Sequence, residues 1–294
     1  MNPGSITTGP DGNLWFTEPN EHLIGKITPS GVITGFYFPT DAFGFPNDIG
    51  SPSDIVSGPD GNLWFTKEGS NKIGKITPSG VITEFTTPTG YSGLWAITKG
   101  PDGNIWFAEK YGNKIGKITP SGVVTVFNTP GHPWGLTTGA DGNLWFTELN
   151  ENKIGKMTPN GVVTEYNVPT LNSYPWSITT GPDGNVWFAE NTANRIGKIT
   201  PSGVITEFNI PTNRSYPSGL TTGPDGNIWF AEFGENKIAR ITPSGVITEF
   251  TTPTTGIGQS GSGPADVTTG PDGNIWFTEF YGKKIGKLVP CSSN

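Results

Sequence analysis

The dipeptide Asp-Gly occurs at Asp11, Asp60, Asp102, Asp141, Asp183, Asp225 and Asp272, with spacings of 49, 42, 39, 42, 42 and 47 residues. A period near 42 residues constrains the fold more than any other feature. Each copy is a small unit that must bury its faces against its neighbours. Most copies read Gly-Pro-Asp-Gly-Asn, an aliphatic residue, Trp-Phe, then Thr or Ala, and Glu. Asn-Lys-Ile-Gly-Lys-Ile-Thr-Pro-Ser-Gly and Val-Ile-Thr-Glu-Phe follow. Several short strands per unit at this period predict a β-propeller.

The second copy resolves into four strands: A (Ser53 to Ser57), B (Asn62 to Thr66), C (Lys72 to Ile76) and D (Val81 to Phe85). Asp-Gly-Asn closes the A–B hairpin, where Gly accepts positive φ without a side-chain clash. Thr77-Pro78-Ser79-Gly80 closes the C–D hairpin, Pro presetting its φ. Strand B carries Trp64 on one face and Phe65 on the other, which suits a sheet sandwiched between two other sheets.

Composition agrees. The chain has 294 residues, enough by length alone for two domains, but the repetition makes it one. Gly (43) and Pro (27) are abundant and aromatics reach 12%, so turns are dense and the core is built from large rings. The expectation is an all-β, seven-bladed propeller of four-stranded antiparallel blades. Its blades fall at about 3–40, 52–89, 94–130, 133–170, 175–212, 217–254 and 264–290.

There are seven A-B-C sets but six D strands, because after Lys287 the sequence runs Leu-Val-Pro-Cys-Ser-Ser-Asn. Met1 and Asn2 directly precede strand A of the first blade, so a last blade of three strands is expected. Its C-strand edge near Lys284 to Lys287 would be open to pairing with another chain. The reading is that a natural N-terminus beyond Met1 carries the closing strand, with room for a secretion signal.

Strand A begins and strand B ends on the same rim, the upper face. Three features collect there. Three Trp residues outside the repeat position, Trp95, Trp134 and Trp176, precede strand A in consecutive blades and should form a crescent at the channel mouth. Tyr174, Tyr216 and His132 stand two residues before the equivalent position. These rings either plug the channel as packing or form a stacking platform for a sugar, peptide or cyclic ligand. Strand B ends in Glu in six blades (Glu18, Glu109, Glu148, Glu190, Glu232 and Glu279) and in Lys67 in the second. Such carboxylates either bind a divalent cation or cationic ligand, or pair with the repeat Lys and solvate the rim. Finally, insertions at Asp41 to Ser51 and Thr255 to Gly263 lie in connections on this face.

Other classes fall away. Net charge is −7 and no Lys/Arg cluster occurs, which argues against nucleic acid. Cys291 is the lone cysteine, so no internal disulfide forms. No apolar run nears the roughly 18 residues of a membrane span. Two His residues, His22 and His132, support no Ser-His-Asp arrangement. His22 replaces a repeat Asn and reads as a surface loop residue, and the seven Asp read as turn residues.

Through Trp-Phe-Thr-Glu, Asn-Lys-Ile-Gly-Lys-Ile-Thr and Gly-Val-Ile-Thr-Glu-Phe, repeated along the chain, the sequence resembles the streptogramin lyase (virginiamycin B lyase) family. It is similar, more distantly, to NHL-repeat propellers. The resemblance implies a bacterial protein and a Mg²⁺-dependent elimination that linearises a cyclic depsipeptide at its ester bond, a base removing the proton α to a carbonyl. The family's essential histidines stand in Pro-His motifs opening strand A of the last two blades. Here those positions are Ser218 (after Pro217) and Ala265 (after Pro264), and the family's first-blade aromatic hydroxyl position is Gly4. Glu279 lies near the family's last-blade metal carboxylate, with Glu232 and Glu18 as further candidates. Losing one general acid or base removes about 10²–10⁴ of rate, so losing two argues against that reaction.

The expectation is therefore a ligand-binding propeller, a reading that fits the sensor or extracellular part of a longer protein. Its candidate ligand residues are Trp95, Trp134, Trp176, Tyr174, Tyr216 and His132. The alternatives are a divergent Mg²⁺-dependent lyase using His132 and a rim Glu, and a purely structural repeat array.

Overall fold

In a computed structural model, residues 1–38, 50–254 and 261–290 are described. They form seven antiparallel sheets, each a simple meander. The first holds β1 (Ile6–Thr8), β2 (Leu14–Glu18), β3 (Leu23–Ile27) and β4 (Ile33–Tyr37). The second runs from β5 (Ser51–Ser57) to β8 (Ile82–Thr86), and the third from β9 (Leu94–Lys99) to β12 (Val124–Asn128). The fourth spans β13 (Pro133–Thr138) to β16 (Val163–Asn167), and the fifth β17 (Pro175–Thr180) to β20 (Ile205–Asn209). The sixth spans β21 (Pro217–Thr222) to β24 (Ile247–Thr251). The seventh has three strands, β25 (Pro264–Thr269), β26 (Ile275–Glu279) and β27 (Lys284–Leu288). The fold, the family of repeats and the short last blade all match the sequence reading, with strand ends within two residues.

Strand B works on both faces, as expected. Trp15 packs towards Leu63 and Phe65 of the next blade, and this contact recurs around the ring. The repeat Trp is buried in every blade and stacks on the D-strand aromatic of its own blade in six, with centroids 5.3–5.8 Å apart. Its indole N–H donates to the Asp of the Asp-Gly turn four residues earlier in all seven. The seven Asp are thus anchors of the core as well as turn residues.

The innermost strands are joined around the channel by side-chain hydroxyls. Thr138, Thr180, Thr222 and Thr269 each donate to the carbonyl at the equivalent position of the preceding blade, at 2.6–2.8 Å. Ser57 donates to Thr8 O, and Thr8 closes the ring onto Thr269 O at 2.6 Å. The third blade has Lys99 at this position, and there Ile97 N donates instead to Asp54 Oδ2 of the second blade. The seam between blades seven and one is further tied by Thr278 Oγ1 to Gly4 O, Ile6 N to Asp266 Oδ2 and Asn2 Nδ2 to Phe280 O.

Candidate functional site

The start of strand A is irregular where the three extra Trp residues sit. Pairing of β13 with β14 (Leu144–Glu148) skips from Pro133 to Leu136, and β17 with β18 (Val186–Glu190) skips from Pro175 to Ile178. Such bulges re-aim a side chain. They turn Trp134 and Trp176 to the channel mouth, where Trp95 meets them. The centroids lie 4.9 Å apart for Trp95–Trp134 and Trp134–Trp176, and 6.3 Å for Trp95–Trp176. Blades three and five are not neighbours, so rings from both can meet only near the axis. All three remain half-buried, and the indole N–H of Trp134 has no partner.

A residue the sequence reading missed completes the group. Lys110 follows strand B of the third blade, and its Nζ stands 3.9 Å from the Trp95 centroid and 4.5 Å from that of Trp134. It is buried and paired with Glu68 at 2.6 Å. The only signal in the sequence was a single Lys beside the repeat Glu.

The other aromatic candidates are less tightly gathered. Tyr174 and Tyr216 adopt positive φ (51° and 48°) and leave their rings about two-fifths exposed. Tyr216 lies over Gly234, where an added Cβ would come 2.6 Å from Cδ2. The His132 ring is held by Glu151, Nδ1 to Oε1 at 2.5 Å, rather than by a Glu that ends strand B. Much of the two insertions lies at residues 39–49 and 255–260, outside the described residues.

The strand-B Glu residues are buried, not solvated on the rim. They receive the incoming connection: Gly131 N donates to Glu148, Thr254 Oγ1 to Glu279 and Asn2 N to Glu18. The repeat cations pair instead with the D-strand carboxylates: Lys153 with Glu165, Arg195 with Glu207 and Lys237 with Glu249. Burial, followed by repulsion from Glu207 and Glu249, pushes Glu190 and Glu232 up to about 8. Burial and Glu165 raise Glu148 in the same sense. Burial thus favours the neutral acid at Glu148, Glu190 and Glu232, which weakens the negative charge of those three blades' rims. In blade two Lys67 takes the buried position and pairs with Glu84 at 2.5 Å.

Deeper in the channel a second group went unseen in the sequence. Asp54 and Asp266 occupy one strand-A position in blades two and seven, on either side of Ser5. Ser5 Oγ donates to Asp54 Oδ1 at 2.6 Å. Both side chains keep some surface open to the channel, yet they stand so far inside the ring that burial raises both. Asp266 reaches about 7, with Asp54 adding to the effect.

A Mg²⁺ site needs several converging oxygen donors. Among the described residues no three His, Cys, Asp or Glu converge on one point, and Glu18, Glu232 and Glu279 belong to separate blades. These residues do not fit the metal.

A seven-sheet ring with an aromatic, lysine-filled channel mouth defines the class: a propeller with its distinctive residues on one face. Within that class, the virginiamycin B lyase family profile matches residues 1–132 and 50–293. The chain belongs to the virginiamycin B lyase family. Virginiamycin B lyase from Staphylococcus aureus is 39% identical with a TM-score of 0.89, the match covering 98% of this chain and 94% of that one. A catalytically inactive histidine-to-alanine form of the S. aureus enzyme, solved with quinupristin, gives the same values. A streptogramin B lyase structure is 38% identical, TM-score 0.89, covering 97% and 92%. No curated protein matches the chain.

Proposed function

We propose that this chain is a ligand-binding member of its family, taking a small, peptide or sugar ligand at the channel mouth without carrying out the elimination. The convergence of Trp95, Trp134 and Trp176, half-buried around the axis, carries this reading. Flat faces of a cyclic peptide or sugar stack on such rings. A relative solved with quinupristin, a cyclic depsipeptide, makes that class the first to test.

The residues at the expected histidine positions support the absence of elimination. Ser218 is buried with its hydroxyl donating to Pro264 O, and Ala265 has no titratable group. The test is tryptophan-fluorescence titration with quinupristin, beside a virginiamycin B turnover assay with and without Mg²⁺. Saturable quenching, lost in the Trp134→Ala/Trp176→Ala double variant, is expected, with no linearised product. Metal-dependent linearisation would establish the lyase reading instead. No quenching by cyclic peptides or oligosaccharides would leave the array purely structural.

A further inference from the structure

One tyrosine ring stands at an equivalent place on the upper face of blades three, five, six and seven, although two different elements supply it. In each of these blades the segment entering strand A is tied to the turn after strand B by a backbone bond. Lys110 N donates to Gly93 O, Asn191 N to Tyr174 O, Phe233 N to Tyr216 O and Phe280 N to Gly263 O, at 3.0–3.3 Å. The bond aligns Gly93 with Tyr111, Tyr174 with Thr192, Tyr216 with Gly234 and Gly263 with Tyr281. Each pair holds one tyrosine. In three pairs the other member is glycine, and a Cβ added to Gly93, Gly234 or Gly263 would come 2.3, 2.6 or 2.5 Å from the tyrosine's Cδ2. There the ring fills one place from either side and excludes a second side chain.

Packing does not account for these rings. None of the four is buried, and Tyr111 is 65% exposed. Tyr174 and Tyr216 are held at φ 51° and 48°, where Gly93 and Gly263 lie at 60° and 50° without a Cβ. A bulky residue is strained in that region, and such strain collects at ligand clamps. The arc adjoins the crescent, because Trp95 and Trp176 follow two residues after Gly93 and Tyr174. Lys110 Nζ, 3.9 Å from the Trp95 centroid and 5.0 Å from that of Tyr111, joins the two groups. Phe233, 5.4 Å from Tyr281, joins blades six and seven. Net charge is low beside the arc: Glu68 pairs with Lys110, and burial favours the neutral acid at Glu190 and Glu232.

We propose that the ligand taken at the channel mouth is a neutral oligosaccharide of several pyranose units, which reaches outward from the tryptophan crescent over the tyrosine arc. This rests on the ligand-binding reading above and names its class. Tyrosine joins an apolar ring to a polar tip. A pyranose offers axial C–H groups to the ring and hydroxyls to the phenol. Rings set at one spatial phase in the consecutive blades five, six and seven match a chain of repeated, uncharged units, whereas the side chains of a peptide do not repeat.

Isothermal titration of the whole chain with maltoheptaose and cellohexaose, a curved and a flat neutral glucan, tests this beside maltose and cellobiose. At least one of the longer sugars should bind saturably, about tenfold or more tighter than its disaccharide. Tyr216→Gly, which relieves the strained φ, should keep the melting temperature and weaken binding roughly threefold to tenfold. Tyr216→Gly/Gly234→Tyr, which gives blade six the arrangement of blade seven, should restore it. Saturable quenching by quinupristin with no binding of any of the four sugars overturns this inference and leaves the ligand-binding reading in place. Failure of quinupristin and the sugars alike overturns both. Sugar binding unchanged in Tyr216→Gly, or not restored by the exchange, overturns the role of the arc.

Discussion

The Lys110 ammonium stands 3.9 Å from the Trp95 ring centroid while pairing with Glu68 at 2.6 Å, so the protein places its own cation inside its aromatic crescent. A buried cation over an aromatic face contributes about 2 kcal/mol when desolvated. Lys110→Met keeps the length of the stem and removes the charge. Glu68 is 34% exposed and can be hydrated once its partner is gone. The variant should lose about 1–3 kcal/mol in urea unfolding, and Lys110→Arg should recover most of it. An unchanged midpoint in Lys110→Met would show that the contact contributes nothing.

Each Asp-Gly turn is held to the core by the repeat indole, Trp106 Nε1 donating to Asp102 Oδ1 at 2.9 Å in blade three, where the same carboxylate also pairs with Lys117 at 3.3 Å. Asp102→Ala leaves a buried indole donor unsatisfied and frees Asn104, whose N–H also donates to that carboxylate. Such a loss is about 1–3 kcal/mol. Asp102→Asn, whose amide oxygen still accepts, should lose less. Chemical denaturation of the two beside Ser79→Ala, on an exposed turn, measures the difference.

This bond also marks what could be read from the sequence and what could not. The spacing of four from Asp to Trp was visible seven times, but turn propensity already explained the Asp, so its reach into the core went unseen. Repeat phase placed Trp95, Trp134 and Trp176 together, because a ring makes neighbours of equivalent positions. Phase does not say how deeply a side chain lies. Glu190 and Glu232 were read at the right end of the right strand, yet connections fold over them and bury them. Lys110, Asp54 and Asp266 break the repeat in one or two blades only, where a consensus gives no guidance.

Stability should depend on pH through two opposed sets of carboxyls. The folded protein holds Glu190 and Glu232 up to about 8, against an ordinary value of 4.5, and Asp266 up to about 7. Their contribution is complete below their unfolded values and is lost as pH rises through 7 and 8. The turn aspartates act oppositely. Burial works against the charge of Asp102, but hydrogen bonds from Trp106 and Asn104 outweigh it and hold it at about 2. That contribution is complete above about 3.8 and disappears as pH falls towards 2. Melting temperature followed by calorimetry should peak near pH 4–5 and decline towards pH 9. Glu190→Gln/Glu232→Gln should flatten the alkaline side, and a maximum near pH 8 in the unaltered protein would contradict the assignment.

Two bonds of the same kind differ only in where they lie on the ring. Ile97 N donates to Asp54 and Ile6 N donates to Asp266, both at 2.9 Å. Blades two and three are joined by the chain, whereas the described residues of blades seven and one meet across the seam through noncovalent contacts. Among the described residues blade seven has three strands where the other blades have four, so this seam is held by less packing than that between blades two and three. The Ile6 amide should exchange with solvent faster than that of Ile97 under native conditions. Thr8→Val removes the hydroxyl that bonds Thr269 O across the seam, and Thr180→Val removes the matching bond inside the ring. The first should speed exchange at Ile6 about tenfold, as expected for one hydrogen bond of about 1 kcal/mol or slightly more. The second should leave Ile6 unchanged. Equal protection of Ile6 and Ile97 would mean that the seam is as firmly closed as the blade contacts the chain itself enforces.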